Sequence, residues 1–190
     1  MKYIVFLSFF LVSCTSAPLS VNHYLLHTPT PVVTEAHNKQ KTPVYFSSVT
    51  LADYLRQASL IIQLNKHELH YSRQDLWAEK LEASFYKALH QDLNNSAQNR
   101  YIIEPDLAEN ALNLKVNLQH FIITNEASVI SSGTYSIKLP SSNWLQKAFY
   151  FTIPLEKDGY PHAVTQLRKT IATLALQINQ DIQDMESSHN

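Results

Sequence analysis

The chain has 190 residues, with 15 basic and 16 acidic side chains and only two glycines, Gly133 and Gly159. The balanced charge, with no basic run and no aromatic residues interleaved with Lys or Arg, argues against nucleic-acid binding. Two isolated glycines exclude Gly-rich phosphate loops, which need two or three clustered glycines. The length fits one domain with a sizeable core.

A short apolar run, residues 3–12, leads into the single cysteine of the chain. A helix that spans a membrane needs roughly 20 apolar residues, so this run is too short, whereas it fits the core of a secretory signal. The tetrapeptide that ends it resembles the bacterial lipobox: Leu11, Val12, Ser13 and Cys14. The resemblance implies cleavage before Cys14, diacylglycerol on its sulfur and an acyl chain on the new amino terminus. An ordinary cleaved signal is the alternative.

The lipobox resemblance also implies a location. Thr15 follows the cysteine, where an aspartate would retain an enteric lipoprotein at the inner membrane. We therefore expect a lipid anchor in the outer membrane and a polypeptide that faces the periplasm, with no cofactor besides the lipid on Cys14. The expected parts are a signal peptide (1–13), a lipidated tether (14–22), one periplasmic domain (23–184) and a polar tail (185–190).

The first half of the domain reads as short strands followed by a helix. A Pro-containing loop, Thr28–Pro43, separates the first strand from the others, and a turn or short helical piece is expected at Asp53–Arg56. The predicted strands are His23–His27, Val44–Leu51, Leu60–Leu64 and His67–Tyr71.

A strong helix is predicted from Ser72 to Leu93. Ser72 and Asp75 form a weak capping-box pattern. Apolar residues then recur every fourth position, at Trp77, Leu81, Phe85, Leu89 and Leu93. This stripe is expected in the core, and the alternative for Trp77 is a contact at a subunit interface.

The second half reads as strands followed by a second helix. The clearest strand alternates strictly between apolar and polar residues, which indicates one face on a core and one toward water. Gly133 within the next strand predicts a bulge or a close backbone approach. The predicted strands are Tyr101–Ile103, Ala111–Ile123, Val129–Leu139 and Phe149–Leu155. The helix is predicted from Pro161 to about Ile182. The order predicts an α+β two-layer sandwich, a mostly antiparallel sheet with two amphipathic helices on one face.

Six short motifs occur in a characteristic order: His23–Leu26, Val49–Leu55, Leu76–Leu81, Leu112–Val116, Ser132-Gly133 and Asp158–Tyr160. Together with the lipobox they resemble the PqiC/YmbA family of ABC-type transport auxiliary lipoproteins. The resemblance implies an outer-membrane subunit of an MCE-type intermembrane lipid transport system. Its implied partners are a PqiB-like MCE-domain protein and the inner-membrane component of that system, and the implied assembly is a homo-oligomeric ring that acts by docking. The alternative is a docking cofactor for another envelope enzyme or assembly machine.

Candidate sites are few. His67 and His70 stand three apart, not four as in the helical zinc motif, so surface histidines are expected there and no metal. No Gly-x-Ser-x-Gly elbow occurs, and we expect no enzyme activity. Near the loops and the tether, four residues are candidates for a partner interface, with edge-strand packing as the alternative: Tyr24, Leu25, Tyr54 and Leu55.

Overall fold

The computed structural model describes residues 20–29, 42–96, 100–102, 111–138 and 143–188. The lipobox residues Leu11–Cys14, the signal peptide and most of the Pro-containing loop lie outside these ranges, as do Ile103 and Leu139. The strands are β1 (Asn22–Tyr24), β2 (Thr42–Leu51), β3 (Ser59–Asn65), β4 (Glu68–Trp77), β5 (Arg100–Ile102), β6 (Leu112–Thr124), β7 (Ser128–Lys138) and β8 (Leu145–Pro154). The helices are a 3-10 turn (Asp53–Arg56), α1 (Leu81–Ser96) and α2 (Tyr160–Ser188).

Strand β6 organises an eight-stranded mixed sheet. Strand β7 pairs along one edge of β6 and continues antiparallel into β8. The other edge of β6 pairs in parallel with β2 and then, at its end, with β3. Strand β4 is antiparallel to β3, whereas β1 and β5 add in parallel to β4 and β2. The chain returns from β2 to its parallel neighbour β6 by way of α1, because a parallel pair needs a long crossover.

The two helices cover one face of the sheet, as the sequence predicts, and the α+β two-layer class is confirmed. The apolar stripes of α1 and α2 are buried against the alternating apolar residues of β6. Each large side chain buried in this way contributes about 1.5–3 kcal/mol. The two helices are also joined by a two-pronged ion pair, in which Arg168 donates to both carboxylate oxygens of Asp92. Helix α2 continues to Ser188, past the end near Ile182 that the sequence predicts, and Met185 packs on the core.

The predicted start of the first helix is wrong. Strand β4 continues to Trp77, and α1 begins only at Leu81. The Ser72 hydroxyl accepts hydrogen bonds from the amides of Gln74 (3.3 Å) and Asp75 (2.9 Å). Those bonds close a bulge inside β4, where the register shifts between Ile61–Tyr71 and Ser59–Leu76. The pattern that resembles a helix cap therefore caps a bulge in a strand.

Trp77 is a core residue of the strand and not of the helix stripe. It is buried, and its ring centroid lies 6.0 Å from that of Phe121 on β6. The rest of the predicted stripe, from Leu81 to Leu93, is confirmed as the buried face of α1. Within the described residues, no helix combines the length and the apolar character needed to cross a bilayer.

Gly133 lies where β6 and β7 approach each other closely. It pairs with Leu118, next to a register shift between Leu118 and His120. A Cβ atom at position 133 would lie 2.0 Å from the backbone oxygen of Asn117. The predicted bulge and close approach are both confirmed.

Candidate functional site

Hydrogen bonds to one buried carboxylate join the first strand of the domain to the bulge in β4. Asp75, only 8% exposed, accepts hydrogen bonds from Asn22 Nδ2 (3.0 Å), the Tyr24 hydroxyl (3.0 Å) and the Ser72 hydroxyl (3.1 Å). Burial and, next, the hydrogen bond to Asp75 raise the pKa of Tyr24 to about 12. The polar end of Tyr24, a predicted interface residue, thus faces the domain and fixes β1 in place.

The residues that follow β1 contact the start of α1 through a hydrogen bond and an ion pair. The Leu26 amide donates to the Ser84 hydroxyl (3.2 Å), and the Leu26 side chain is buried. Glu79 contacts both His27 and Lys87. Burial disfavours the charged carboxylate of Glu79, but the hydrogen bond and charge of Lys87 outweigh it and lower the pKa of Glu79.

Leu25 stands out from this fastened segment. Its side chain is 50% exposed although both of its neighbours are held, and Val21 on the other side of β1 is 47% exposed. The predicted interface residue Leu25 is therefore available to a partner. Val21 and Leu25 are thus two exposed apolar side chains, one at each end of the first strand.

The second predicted pair, Tyr54 and Leu55, lies in the 3-10 turn next to the bulge of β6. The Tyr54 hydroxyl donates to the Gln119 carbonyl (2.8 Å) and lies 2.7 Å from His120 Nδ1. Burial and, next, the proximity of Tyr71 raise the pKa of Tyr54 to about 12. The prediction that Leu55 contacts a partner is wrong. Its side chain is buried in the core and only 1% exposed.

The structure does not bring the two histidines into a metal site. His67 lies in the turn between β3 and β4, where its amide donates to Asn65 Oδ1 (3.0 Å). His70 lies on β4 and pairs with Ile62 of β3. In the part of the chain that the structure describes, no three His, Cys, Asp or Glu residues are grouped to hold a metal ion.

A small open cleft of about 280 Å³ lies where α2 begins beside the ends of β3 and β6. Its walls are mostly apolar, among them Ile62, Ile123 and Leu155, with Asp158 and Tyr160 at the helix start. Ligand pockets usually measure about 300–1,000 Å³ and contain several convergent polar groups. The cleft lies at the lower end of that range, and Asp158 and Tyr160 are the ionisable residues of its lining.

The model of the protein family described as ABC-type transport auxiliary lipoprotein component matches residues 24–179, from β1 into α2. The chain belongs to this family. The description of the family is that of an auxiliary lipoprotein component of ABC-type transport, and it is not a known family of enzymes.

Two solved structures share the fold of this transport auxiliary lipoprotein. The crystal structure of an uncharacterized protein is 18% identical and has a TM-score of 0.76, covering 86% of this chain and 99% of that chain. Protein XCC0632 from Xanthomonas campestris is 9% identical and has a TM-score of 0.65, covering 90% and 98%. No curated protein matches in sequence.

One surface of the transport auxiliary lipoprotein was missed by the sequence reasoning. The sheet face opposite the helices is polar, and Lys115 of β6 lies over the ring of Trp144, 4.6 Å from its centroid. Beside it, β8 forms the last strand of the sheet and exposes Tyr150 at 66%. The alternation of β8 predicts which side chains point outward, but not that the strand is an edge.

Proposed function

We propose that this lipoprotein is held in the outer membrane by the lipid on Cys14, faces the periplasm and docks the periplasm-spanning MCE-domain protein of an intermembrane lipid transport system. The observation that carries the proposal is the family match over residues 24–179, which runs from the last residue of β1 through α1 and the other seven strands into α2. The PqiB-like partner and its inner-membrane component are proposed from the resemblance. The lipid on Cys14 is the only non-protein group in the proposal.

The tether and the pinned strand together support a docking role near a membrane. Residues 15–21, even fully extended, reach about 25 Å. They lead directly into β1, which Asp75 and the parallel pairing with β4 hold on the sheet. An anchor at Cys14 would thus keep the domain close to the leaflet. Two acyl chains suffice for stable membrane attachment, at about 0.8 kcal/mol for each buried CH2 group.

We propose that Leu25, from the predicted interface, contacts the partner together with Val21, which was not among the predicted interface residues. Both side chains are about half exposed, and neither is needed for the packed core. Tyr54 is less suitable for a test. Replacing it would remove the hydrogen bond from its hydroxyl to Gln119 and its contact with His120 together with any partner contact.

Co-purification with the MCE-domain protein tests the proposal. We expect Leu25→Asp to weaken co-purification several-fold without lowering the melting temperature. Leu64→Asp is the matched control, because Leu64 is also an exposed leucine, at 39%, but lies at the far end of β3. Equal loss for both variants would contradict the proposed surface, and no co-purification of the unchanged protein would contradict the proposed partner.

The anchor has its own test. Globomycin, which blocks the signal peptidase for lipoproteins, should cause a lipidated and uncleaved precursor to accumulate. Cys14→Ala should release the protein from the membrane fraction. A soluble wild-type protein without fatty acids would contradict the anchor.

A further inference from the structure

The open face of the sheet, opposite the helices, carries aromatic rings beside lysines where β6 begins and β7 ends. Trp144 is 43% exposed just before β8, and the Lys115 ammonium group lies over its ring, 4.6 Å from the centroid. Tyr45 and Lys138 both pair with Asn113, so they share one row across the sheet and point to the same face as Lys115. Together these side chains form the Trp144 patch: Tyr45, Lys115, Lys138 and Trp144.

The strands beneath the patch carry no acidic side chain. Strands β2, β6, β7 and β8, which all belong to the described part of the chain, contain no Asp or Glu, although the chain has 16 acidic residues. Lys147 of β8 is neutralised, because it donates to Asp181 of α2 on the helix side at 2.6 Å. Lys115 and Lys138 instead point to the open face. The charge that these four strands give the open face is therefore positive.

These residue types suit the headgroup region of an anionic bilayer. Trp and Tyr are enriched at membrane–water interfaces, because one part of the ring is apolar and the other forms hydrogen bonds with water. Each lysine near an anionic leaflet strengthens attachment about five-fold. The centre of a protein–protein interface is by contrast depleted of charge, whereas Lys138 lies between the two aromatic residues of the patch, Tyr45 and Trp144. The patch therefore matches a lipid surface better than a protein.

The lipid anchor of the proposed function, on which this inference rests, brings such a surface within reach. Residues 15–21 extend at most about 25 Å, and they enter β1, which is itself a strand of the sheet. Five steps between neighbouring strands separate β1 from β8, or about 24 Å. The tether is thus as long as the sheet is wide. A contact that is weak for a free domain is sufficient here, because the anchor keeps its effective concentration high.

We propose that the Trp144 patch lies against the headgroups of an anionic phospholipid leaflet and so sets the orientation of the anchored domain, with both helices facing away from the membrane. Exposed carboxylates on the helices, such as Glu82 and Asp184, then point away from the negative lipids. Every subunit of a ring around the membrane normal presents the same face to the leaflet. This orientation is therefore compatible with the ring that the family resemblance implies.

Quenching of Trp144 fluorescence by lipid tests the contact. The mature chain, residues 14–190, has Cys14 as its only thiol, so a maleimide lipid can attach it to vesicles in place of the natural anchor. On vesicles of phosphatidylethanolamine and phosphatidylglycerol with brominated acyl chains, we expect Trp144 emission to fall about two-fold, because an interfacial ring lies at headgroup level. The other tryptophan, Trp77, is buried, and Trp144→Phe measures its share of the signal.

Lys115→Gln and Lys169→Gln are a matched pair of charge variants. Lys169 is exposed on α2, on the other side of the domain, and both variants lose one positive charge. Lys115→Gln should lower the equilibrium constant for contact about five-fold, Lys169→Gln should leave it unchanged, and Lys115→Arg should keep it near the original value. Exchange of phosphatidylglycerol for phosphatidylcholine should remove most of the quenching.

The outcomes separate this inference from the proposed function, because the test needs neither natural lipidation nor the MCE-domain protein. Absence of quenching on anionic vesicles, equal quenching on phosphatidylcholine, or equal loss for Lys115→Gln and Lys169→Gln would overturn it. Shielding of Trp144 from acrylamide as protein concentration rises without vesicles would assign the patch to a contact between copies and would also overturn it. Circular dichroism of each variant establishes that the fold is kept.

Discussion

Replacing Gly133 by alanine tests the close approach of β6 and β7. The added methyl group would lie 2.0 Å from the Asn117 carbonyl oxygen, 3.0 Å from its carbon and 3.2 Å from the Leu118 Cα atom. All three atoms belong to the backbone, so no side-chain rotation can relieve the contact. The two strands must separate locally, in a region where Gly133 also pairs with Phe149 of β8.

Overpacking a well-packed interior costs about 1–3 kcal/mol. Because the neighbour here is backbone, we expect about 3 kcal/mol for Gly133→Ala. For a domain of this size, 1 kcal/mol lowers the melting temperature by about 2–4 °C, which gives a decrease of roughly 6–12 °C. Urea unfolding would measure the same loss as a lower midpoint at an unchanged slope.

Thr134→Ala is the control for this substitution. It lies in the same strand with its side chain toward the open face, half-buried, and pairs with Asn117. It should change stability by less than about 1 kcal/mol. If Gly133→Ala were no more destabilising than Thr134→Ala, the argument from close backbone approach would be refuted.

Three further substitutions concern the polar contacts beneath the sheet and between the helices. Asp181→Asn removes the negative charge that Lys147 and Tyr135 contact. Urea unfolding should show a loss of about 2 kcal/mol in the free energy of unfolding. The control Asp184→Asn, on the exposed side of α2, should change that free energy by less than about 0.5 kcal/mol. Burial, and then the hydrogen bond to Asp181, raises the pKa of Tyr135. Stability should therefore be fully present below about pH 10, the pKa of an unfolded phenol, and fall above it, where only the unfolded chain loses the proton. Tyr135→Phe should make that alkaline fall shallower, and an equal slope would contradict the pKa shift. Arg168→Lys cannot form the two-pronged contact with the carboxylate of α1 and should cost about 1 kcal/mol; wild-type stability would show that the contact is not bidentate in solution.

Much of the fold is predictable because the periodic signals are long. The alternation of β6 from Leu112 to Leu118 and the four-residue stripe from Leu81 to Leu93 each predict which side chains are buried, and both are confirmed. Beyond Leu118 the bulge in β6 breaks the alternation, and Phe121 enters the core. The pairing of β6 with β2 in parallel is not contained in either pattern. Alternation specifies a face but not a neighbour, and the neighbours here are more than sixty residues apart.

The failures of sequence reasoning occur where one local pattern fits two structures or where the decisive contact is with a distant part of the chain. Ser72 and Asp75 have the spacing of a helix cap, but that spacing also closes a bulge, and local sequence cannot distinguish the two. The placement of Leu55 in the core depends on how the 3-10 turn folds onto α1. The bond between Tyr24 and Asp75 spans 51 residues and carries no local signal.

The bulge in β4 explains how β1, a strand of only three residues, is held on the sheet where the tether joins the domain. Three parallel-paired residues alone would hold β1 weakly, since isolated strand pairs are only marginally stable. The bulge turns Asp75 toward β1, where Asn22 and Tyr24 both donate to it, while Ser72 holds the carboxylate from within β4. A regular strand would place no carboxylate in that position, because its side chains would alternate without interruption between the two faces. The register shift that makes the end of β4 unpredictable from the sequence is therefore also the feature that fixes the first strand.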